Sequence, residues 1–184
     1  AAMHVWVNGH EVGYSEGTKT AVEFDITPYV VKGKNILAIK GHRWADGSYL
    51  EDQDFWRLSG FDRGVNIYSV AQTRIADMFI IGDLDKTYKT GVWDSTVTLQ
   101  NTDDKPFSGY IELALYDANG AIVAKQSRKI TIAAASSIDQ TFKRNIPKVK
   151  SWNNEHPYLY TTIATLRDAK QETIEATSHR TGFR

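Results

Sequence analysis

The sequence predicts an all-β protein in two parts, an incomplete β domain over residues 1–72 and a β-sandwich over residues 73–184. Apolar and polar residues alternate along much of the chain, with the period of two that is typical of strands, and a helical period of 3.6 does not recur. Turn residues separate the alternating runs. The first is Asn8-Gly9, a pair that readily adopts the left-handed backbone angles of a two-residue hairpin turn.

The first part contains several short strand candidates and a long segment, residues 42–64, that does not alternate. The predicted strands are residues 4–7, 11–12, 21–26, 36–39 and 65–70. This set is too small to close a sandwich and would leave strand edges unpaired. We therefore expect residues 1–72 to be the C-terminal part of a larger domain, truncated at its N-terminus.

The second part has a more regular rhythm of short strands. Seven are predicted, at residues 74–81, 95–100, 110–116, 122–126, 138–142, 159–166 and 173–178. Turn-forming residues connect them, for example at 117–120. Seven short alternating strands are typical of an immunoglobulin-like sandwich. Within the third of them, Ile111, Leu113 and Leu115 are predicted to face the core.

Composition excludes several classes of function. Lys and Arg number 22, and Asp and Glu also number 22, so the chain lacks the basic excess of a nucleic-acid-binding protein. It contains no cysteine, which excludes disulfides, zinc–thiolate sites and thiol nucleophiles. No apolar run approaches the ~18–20 residues of a membrane span. We expect neither nucleic acid nor a membrane as a partner.

Two motifs fit known chemistry only formally. Residues 13–17 match the G-x-S-x-G nucleophile elbow, which requires a sharp turn from a strand into a helix. Because residues 18–26 alternate like a strand, the glycines more simply serve hairpin turns. The five histidines, at positions 4, 10, 42, 156 and 179, form no H-x-H or H-x-x-x-H pair, so no zinc site is expected.

Residues 43–57 are the densest mixed-charge segment. They combine aromatic side chains and arginines with four carboxylates, those of Asp46, Glu51, Asp52 and Asp54. In a structural interpretation, the arginines neutralise the carboxylates and the aromatics anchor the segment. In a binding interpretation, the aromatics stack on a sugar while a carboxylate accepts hydroxyl hydrogen bonds or ligates a hard cation. A glycosidase acid pair is the third reading that composition permits.

The same segment carries a resemblance to a known family. Residues 43–60, Arg-Trp-Ala-Asp-Gly-Ser-Tyr-Leu-Glu-Asp-Gln-Asp-Phe-Trp-Arg-Leu-Ser-Gly, resemble the R-W-S-D-G-S-Y-L-E-D-Q-D-x-W-R-x-S-G signature of bacterial β-galactosidases of glycoside hydrolase family 2. Further similar stretches lie at residues 6–9, 12–15, 24–27, 152–160 and 180–184. Ala45 stands where the signature has Ser. Residues 61–65 also depart from the usual I-[FY]-R-D-V.

The resemblance implies a fold and a parent activity. Residues 1–72 would be the end of the sugar-binding, galactose-binding-like jelly roll, and residues 73–184 the immunoglobulin-like domain that follows it. The parent would hydrolyse terminal non-reducing β-D-galactose with retention, using two glutamates on a (β/α)8 barrel beyond Arg184. We therefore expect no catalytic residue here and a fragment that is inactive alone.

One site residue carries over by resemblance. Asp46 matches the family aspartate that reaches into the barrel mouth and binds both a sodium ion and the galactose 6-hydroxyl. No catalytic role carries over to Glu51, Asp52 or Asp54, which stay structural in this interpretation. The resemblance also implies sodium and magnesium as cofactors of the full-length enzyme and none in the fragment itself. It is compatible with a homo-oligomeric bacterial parent, and it leaves the compartment, cytoplasm or periplasm, open.

Two functions of other classes stay open at this point. A stand-alone carbohydrate-binding module would bind galactose without the barrel. An immunoglobulin-like interaction protein would bind a protein partner and show no dependence on sugar.

Overall fold

The computed structural model describes residues 2–17, 20–50, 60, 61 and 63–184. The predicted roles of Glu51, Asp52 and Asp54 therefore lie outside the described residues, as does most of the signature segment. The chain forms two compact units, Ala1–Ile67 and Tyr68–Arg184. The predicted domain boundary after residue 72 stays a prediction.

The first unit is built on a three-stranded antiparallel sheet with strand order β2-β1-β3. Its strands are β1, Ala2–Val7, β2, His10–Ser15, and β3, Leu37–His42. Asn8 and Gly9 have φ angles of 52° and 84°, which confirms the predicted left-handed hairpin turn between β1 and β2. A short 3-10 turn, Thr27–Tyr29, and a single helical turn, α1 at Gly47–Leu50, complete the regular structure of its described residues.

Asn8 also ties this turn to the chain that leads into β3. Its side-chain Oδ1 accepts the Ile36 N–H at 2.9 Å, and its Nδ2 donates to the Tyr29 carbonyl at 2.8 Å and to Asn35 Oδ1 at 2.7 Å. Asn35 in turn accepts the Val31 N–H. The turn is thus held by side-chain hydrogen bonds as well as by the sheet.

Two predicted strands of the first unit are absent from the structure. Residues 21–26 do alternate, since Phe24 and Ile26 are half-buried while their neighbours are exposed, but no described strand pairs with them. Residues 65–70 are exposed throughout. Alternation predicts which side chains can share a face, but a strand also needs a neighbouring backbone to complete its hydrogen bonds, and these two segments have none among the described residues.

The second unit contains all seven predicted strands, each at its predicted place. They are β4 Thr73–Leu84, β5 Thr90–Asn101, β6 Phe107–Tyr116, β7 Ile122–Ile132, β8 Ser136–Pro147, β9 Tyr160–Asp168 and β10 Thr173–Thr181. They form a three-stranded sheet, β4-β5-β8, and a four-stranded sheet, β10-β9-β6-β7, with every pairing antiparallel. The predicted all-β class and the β-sandwich are confirmed.

One hydrophobic core lies between the two sheets. Trp93, Val97 and Leu99 of β5 and Phe142 of β8 face Ile111, Leu113 and Leu115 of β6, and all seven are fully buried. The predicted inner face of β6 is thus confirmed. Phe183, also fully buried, packs edge-on against Tyr160, with ring centroids 5.1 Å apart. The last residues of the chain therefore belong to the core of this unit.

A buried polar residue, Asn101, closes one end of the sandwich. Its Nδ2 donates to the carbonyls of Lys105 and Ala133 at 2.7 and 3.1 Å, and its Oδ1 accepts from the Thr73 hydroxyl and the Asp103 N–H. The side-chain amide of Asn101 thus has four hydrogen-bond partners. Because its polar atoms are paired, the residue can be buried to 1% exposure. Within the part of the chain that the structure describes, no helix is long and apolar enough to span a membrane.

Candidate functional site

The site predicted from sequence centres on Asp46, at the start of α1. Its carbonyl accepts the N–H groups of Tyr49 and Leu50 at 3.0 and 3.2 Å. Just before it, the Ala45 carbonyl accepts the Ser48 N–H at 2.9 Å, and the Ser48 hydroxyl accepts the Ala45 N–H at 3.1 Å. These bonds fix the backbone of the turn, while the Asp46 side chain stays exposed and able to accept a hydrogen bond from a ligand.

Aromatic side chains flank Asp46 in the same turn. The ring centroids of Trp44 and Tyr49 lie 6.4 Å apart, and the ring planes are inclined by 34°. The Arg43 guanidinium lies over the Trp44 ring at 5.3 Å, a distance at which cation–π attraction operates. Trp44 is 50% exposed and Tyr49 is 78% exposed. An exposed carboxylate and two exposed aromatic rings in one turn are a combination that suits a sugar, which offers both hydroxyl groups and an apolar ring face.

Tyr14 of β2 adds a polar group to the neighbourhood of Asp46. Its hydroxyl donates a hydrogen bond to Glu16 Oε1. This bond to an anionic acceptor is the main reason that the pKa of Tyr14 rises to about 12, with further contributions from desolvation and from the negative charges of Glu16 and Asp46. The phenol is therefore held protonated as a donor at any ordinary pH.

His4 of β1 connects Tyr14 with β3. Its ring lies 4.6 Å from that of Tyr14 and 5.4 Å from that of His42, centroid to centroid, and its Nδ1 is 3.1 Å from Glu11 Oε1. Sequence reasoning did not identify this cluster. A regular two-residue hairpin would pair His4 with Gly13, but a bulge shifts the register so that His4 pairs with Tyr14. Alternation alone gives no signal for a bulge.

The described residues contain no cluster of carboxylate and imidazole metal ligands. Among residues 2–17, 20–50, 60, 61 and 63–184, no three His, Asp or Glu side chains come together as a ligand set. A hard cation such as sodium takes several oxygen ligands. Asp46 can supply one such oxygen, so the implied sodium site would need further ligands from elsewhere. For the implied magnesium, no group of ligands stands out among the residues that the structure describes.

The two formal motifs have structural roles. Ser15 ends strand β2, and its hydroxyl accepts the N–H of Gly17 at 3.3 Å. The described residues that follow, from Thr20 to Ile26, form no helix, so the geometry of a nucleophile elbow is missing. Of the histidines, His156 and His179 lie in the second unit. Neither belongs to a group of three potential metal ligands in the part that the structure describes.

Family models match both parts of the chain. Residues 1–71 match the model described as "Glycosyl hydrolases family 2, sugar binding domain". Residues 73–184 match the model described as "Glycosyl hydrolases family 2". The second match alone covers more than half of the chain.

Curated relatives share sequence over the entire chain. It is 38% identical to a β-galactosidase of Priestia megaterium over 189 aligned residues, and 38% identical to a β-galactosidase of Halalkalibacterium halodurans over 183. The matches cover 100% of this chain but only 18% and 17% of those relatives. The chain therefore spans less than a fifth of the length of these two proteins.

Solved structures share its fold at lower identity. A β-glucuronidase from Bacteroides uniformis superposes on the whole chain with a TM-score of 0.87 at 20% identity, over 23% of its own length. A β-glucuronidase from Parabacteroides merdae gives a TM-score of 0.81 at 23% identity, over 24% of its length. At this level of identity the likeness establishes the fold alone.

Proposed function

The chain belongs to glycosyl hydrolase family 2, and on that premise we propose that it is a non-catalytic N-terminal part of a bacterial β-galactosidase. The observation that carries the proposal is 38% identity to curated β-galactosidases over the full length of this chain. The Asp46 turn, which combines an exposed carboxylate with the exposed rings of Trp44 and Tyr49, agrees with a sugar as the ligand.

The proposed reaction is hydrolysis of terminal β-D-galactose with retention, by glutamates that lie outside these 184 residues. Asp46 would accept a hydrogen bond from the galactose 6-hydroxyl and supply one oxygen to a sodium ion. A carboxylate has enough lone pairs for both tasks. The hydrogen bonds within the Asp46 turn would hold its backbone in one conformation and so reduce the entropy lost when sugar binds. Homo-oligomerisation of the parent belongs to the same proposal.

The first test uses the chain alone. We expect no turnover of a chromogenic β-galactoside and no galactose binding by calorimetry, because one carboxylate and two ring faces do not enclose a sugar. Reproducible turnover would contradict the proposal that the catalytic residues lie outside this chain. Galactose affinity without turnover would favour a stand-alone carbohydrate-binding module.

The second test uses the full-length enzyme that the proposal implies. Asp46→Asn keeps the size of the side chain but removes its charge. We expect weaker galactose and sodium binding, by about 1–3 kcal/mol, the usual cost of removing a partner from a polar group in a site. Asp77→Asn is the matched control, since Asp77 is an exposed carboxylate in the second unit. Unchanged sodium dependence in Asp46→Asn would reject the assignment.

A further inference from the structure

The chain contains two Asn-Gly pairs, Asn8-Gly9 and Asn119-Gly120. Asn-Gly is the dipeptide at which asparagine most readily loses its amide, because glycine has no side chain to hinder attack by its own backbone nitrogen. The attack requires the asparagine side chain to swing freely towards that nitrogen. The two pairs have identical chemistry, so their surroundings decide whether either one reacts.

Asn8 is held in place on every side of its amide. Its Nδ2 and Oδ1 make three hydrogen bonds of 2.7–2.9 Å, to Tyr29, Asn35 and Ile36. These bonds direct the side chain away from Gly9 and towards the chain before β3. Reaction at Asn8 would require all three to break in the same event.

Asn119 is held only through its backbone. It lies in the turn between β6 and β7, where its N–H donates to Asp117 Oδ1 at 2.9 Å, while its side-chain amide makes no hydrogen bond to any described residue. The residue is exposed. Gly120, with a φ of 83°, makes one long turn bond, from its N–H to the Asp117 carbonyl at 3.1 Å.

We propose that Asn119 is a site of spontaneous deamidation and that Asn8 is protected. The Gly120 backbone nitrogen loses its proton and bonds to the Asn119 side-chain carbonyl carbon, whose bond to Nδ2 breaks, and ammonia leaves. Water then opens the resulting succinimide ring at either carbonyl. The products are aspartate and isoaspartate at position 119, and no oxidation or reduction occurs.

The modification has a structural consequence at the turn. A carboxylate at position 119 lies two residues from Asp117, whose Oδ1 accepts the N–H groups of residues 119 and 121. Isoaspartate also lengthens the backbone by one carbon. Both changes weaken the turn, which the Ala118 N–H ties to the Tyr158 hydroxyl at 3.1 Å.

The test follows both asparagines in one sample of the 184-residue chain. The protein is incubated in mildly alkaline buffer, digested, and analysed by mass spectrometry that separates aspartate from isoaspartate. We expect conversion at Asn119 at least roughly tenfold faster than at Asn8, the factor that follows from the hydrogen bonds that Asn8 must break. Equal rates, or faster conversion at Asn8, would overturn the proposal.

Two controls assign the difference to structure. In concentrated urea the two rates should become similar, because the unfolded chain holds neither side chain. Asn35→Ala removes one of the three partners of Asn8, and should accelerate conversion at Asn8 but not at Asn119. A tenfold difference that persists in urea, or an Asn8 rate that Asn35→Ala leaves unchanged, would mean that neighbouring sequence, and not the fold, decides which site reacts.

Discussion

The two units differ most in how much apolar surface they bury. Among the described residues of the first unit, only Ala2, Val5 and Val7 are buried apolar side chains. The second unit has a continuous core of sixteen buried residues that includes Trp93, Phe142 and Phe183. Burial of apolar surface is the main source of folding stability. The second unit therefore has a core of its own, whereas the candidate binding residue, Asp46, lies in the unit whose described residues bury little apolar surface.

The contrast in stability is tested most directly by producing each unit alone. We expect residues 68–184 alone to unfold in one cooperative transition, because their core is complete. Residues 1–67 alone should unfold at a much lower temperature, since only three apolar side chains among their described residues are buried to offset the ~1–2 kcal/mol of backbone entropy that each ordered residue loses. Thermal unfolding followed by circular dichroism measures both. Equal midpoints for the two pieces would contradict the contrast between the units.

A substitution in the core of the second unit should have the next largest effect. Trp93 is fully buried, so Trp93→Ala should reduce the free energy of unfolding of the second unit by about 3–5 kcal/mol, the range for emptying a large core site. Trp93→Phe should cost less, because the indole Nε1 has no described hydrogen-bond partner to lose. Chemical denaturation measures both values.

Val5→Ala is the matched change in the first unit, where Val5 is 5% exposed. It should leave the main unfolding transition of the second unit unchanged. If Val5→Ala lowers the same transition that Trp93→Ala lowers, the chain unfolds as one cooperative body and the contrast between the units does not hold.

The two structural asparagines allow a finer comparison. Asn101→Ala removes one buried and three part-buried hydrogen bonds, to a hydroxyl, an N–H and two carbonyl groups, so we expect a loss of about 2–3 kcal/mol. Asn8→Ala removes a similar number of hydrogen bonds, but most of them are exposed, and water can replace them. Denaturation of both variants should give the larger loss for Asn101, and the reverse order would mean that burial does not set the cost.

The strands of the second unit were predicted from the sequence more accurately than those of the first. In β6, alternation alone predicted that Ile111, Leu113 and Leu115 face inward, because a strand between two neighbours keeps strict two-residue periodicity. Residues 21–26 alternate equally well, yet they form no strand among the described residues. The difference is the partner backbone, which local sequence does not encode.

The candidate site was predicted less fully than the sandwich. The resemblance singled out Asp46, and its turn is described. The approach of His4 to Tyr14 depends on a bulge in β2, and the buried Asn101 lies one residue beyond the predicted end of β5. In both cases a shift of one residue decides the contact, and alternation does not fix a register or a strand end to a single residue.

The last comparison concerns two tyrosines, one in each unit, whose pKa values are raised for different reasons, and the expected changes are small. Tyr14 in the first unit is raised to about 12 chiefly by its hydrogen bond to Glu16, whereas the pKa of Tyr160 in the second unit is raised chiefly by burial. Each folded pKa lies above the ordinary value of 10.0. The stabilisation from each protonated phenol is therefore complete below about pH 10 and is lost as the pH rises through the folded pKa.

Glu16→Gln should lower the pKa of Tyr14 towards its ordinary value, because a neutral amide replaces the charged acceptor. Asp46→Asn should lower it less, since the Asp46 charge is the smallest of the four causes. Neither change should alter Tyr160, which is surrounded by the core of the other unit. An NMR titration of ring-labelled tyrosine measures all three. If Glu16→Gln left Tyr14 unchanged, or moved Tyr160 equally, the charge-based account of Tyr14 would be wrong.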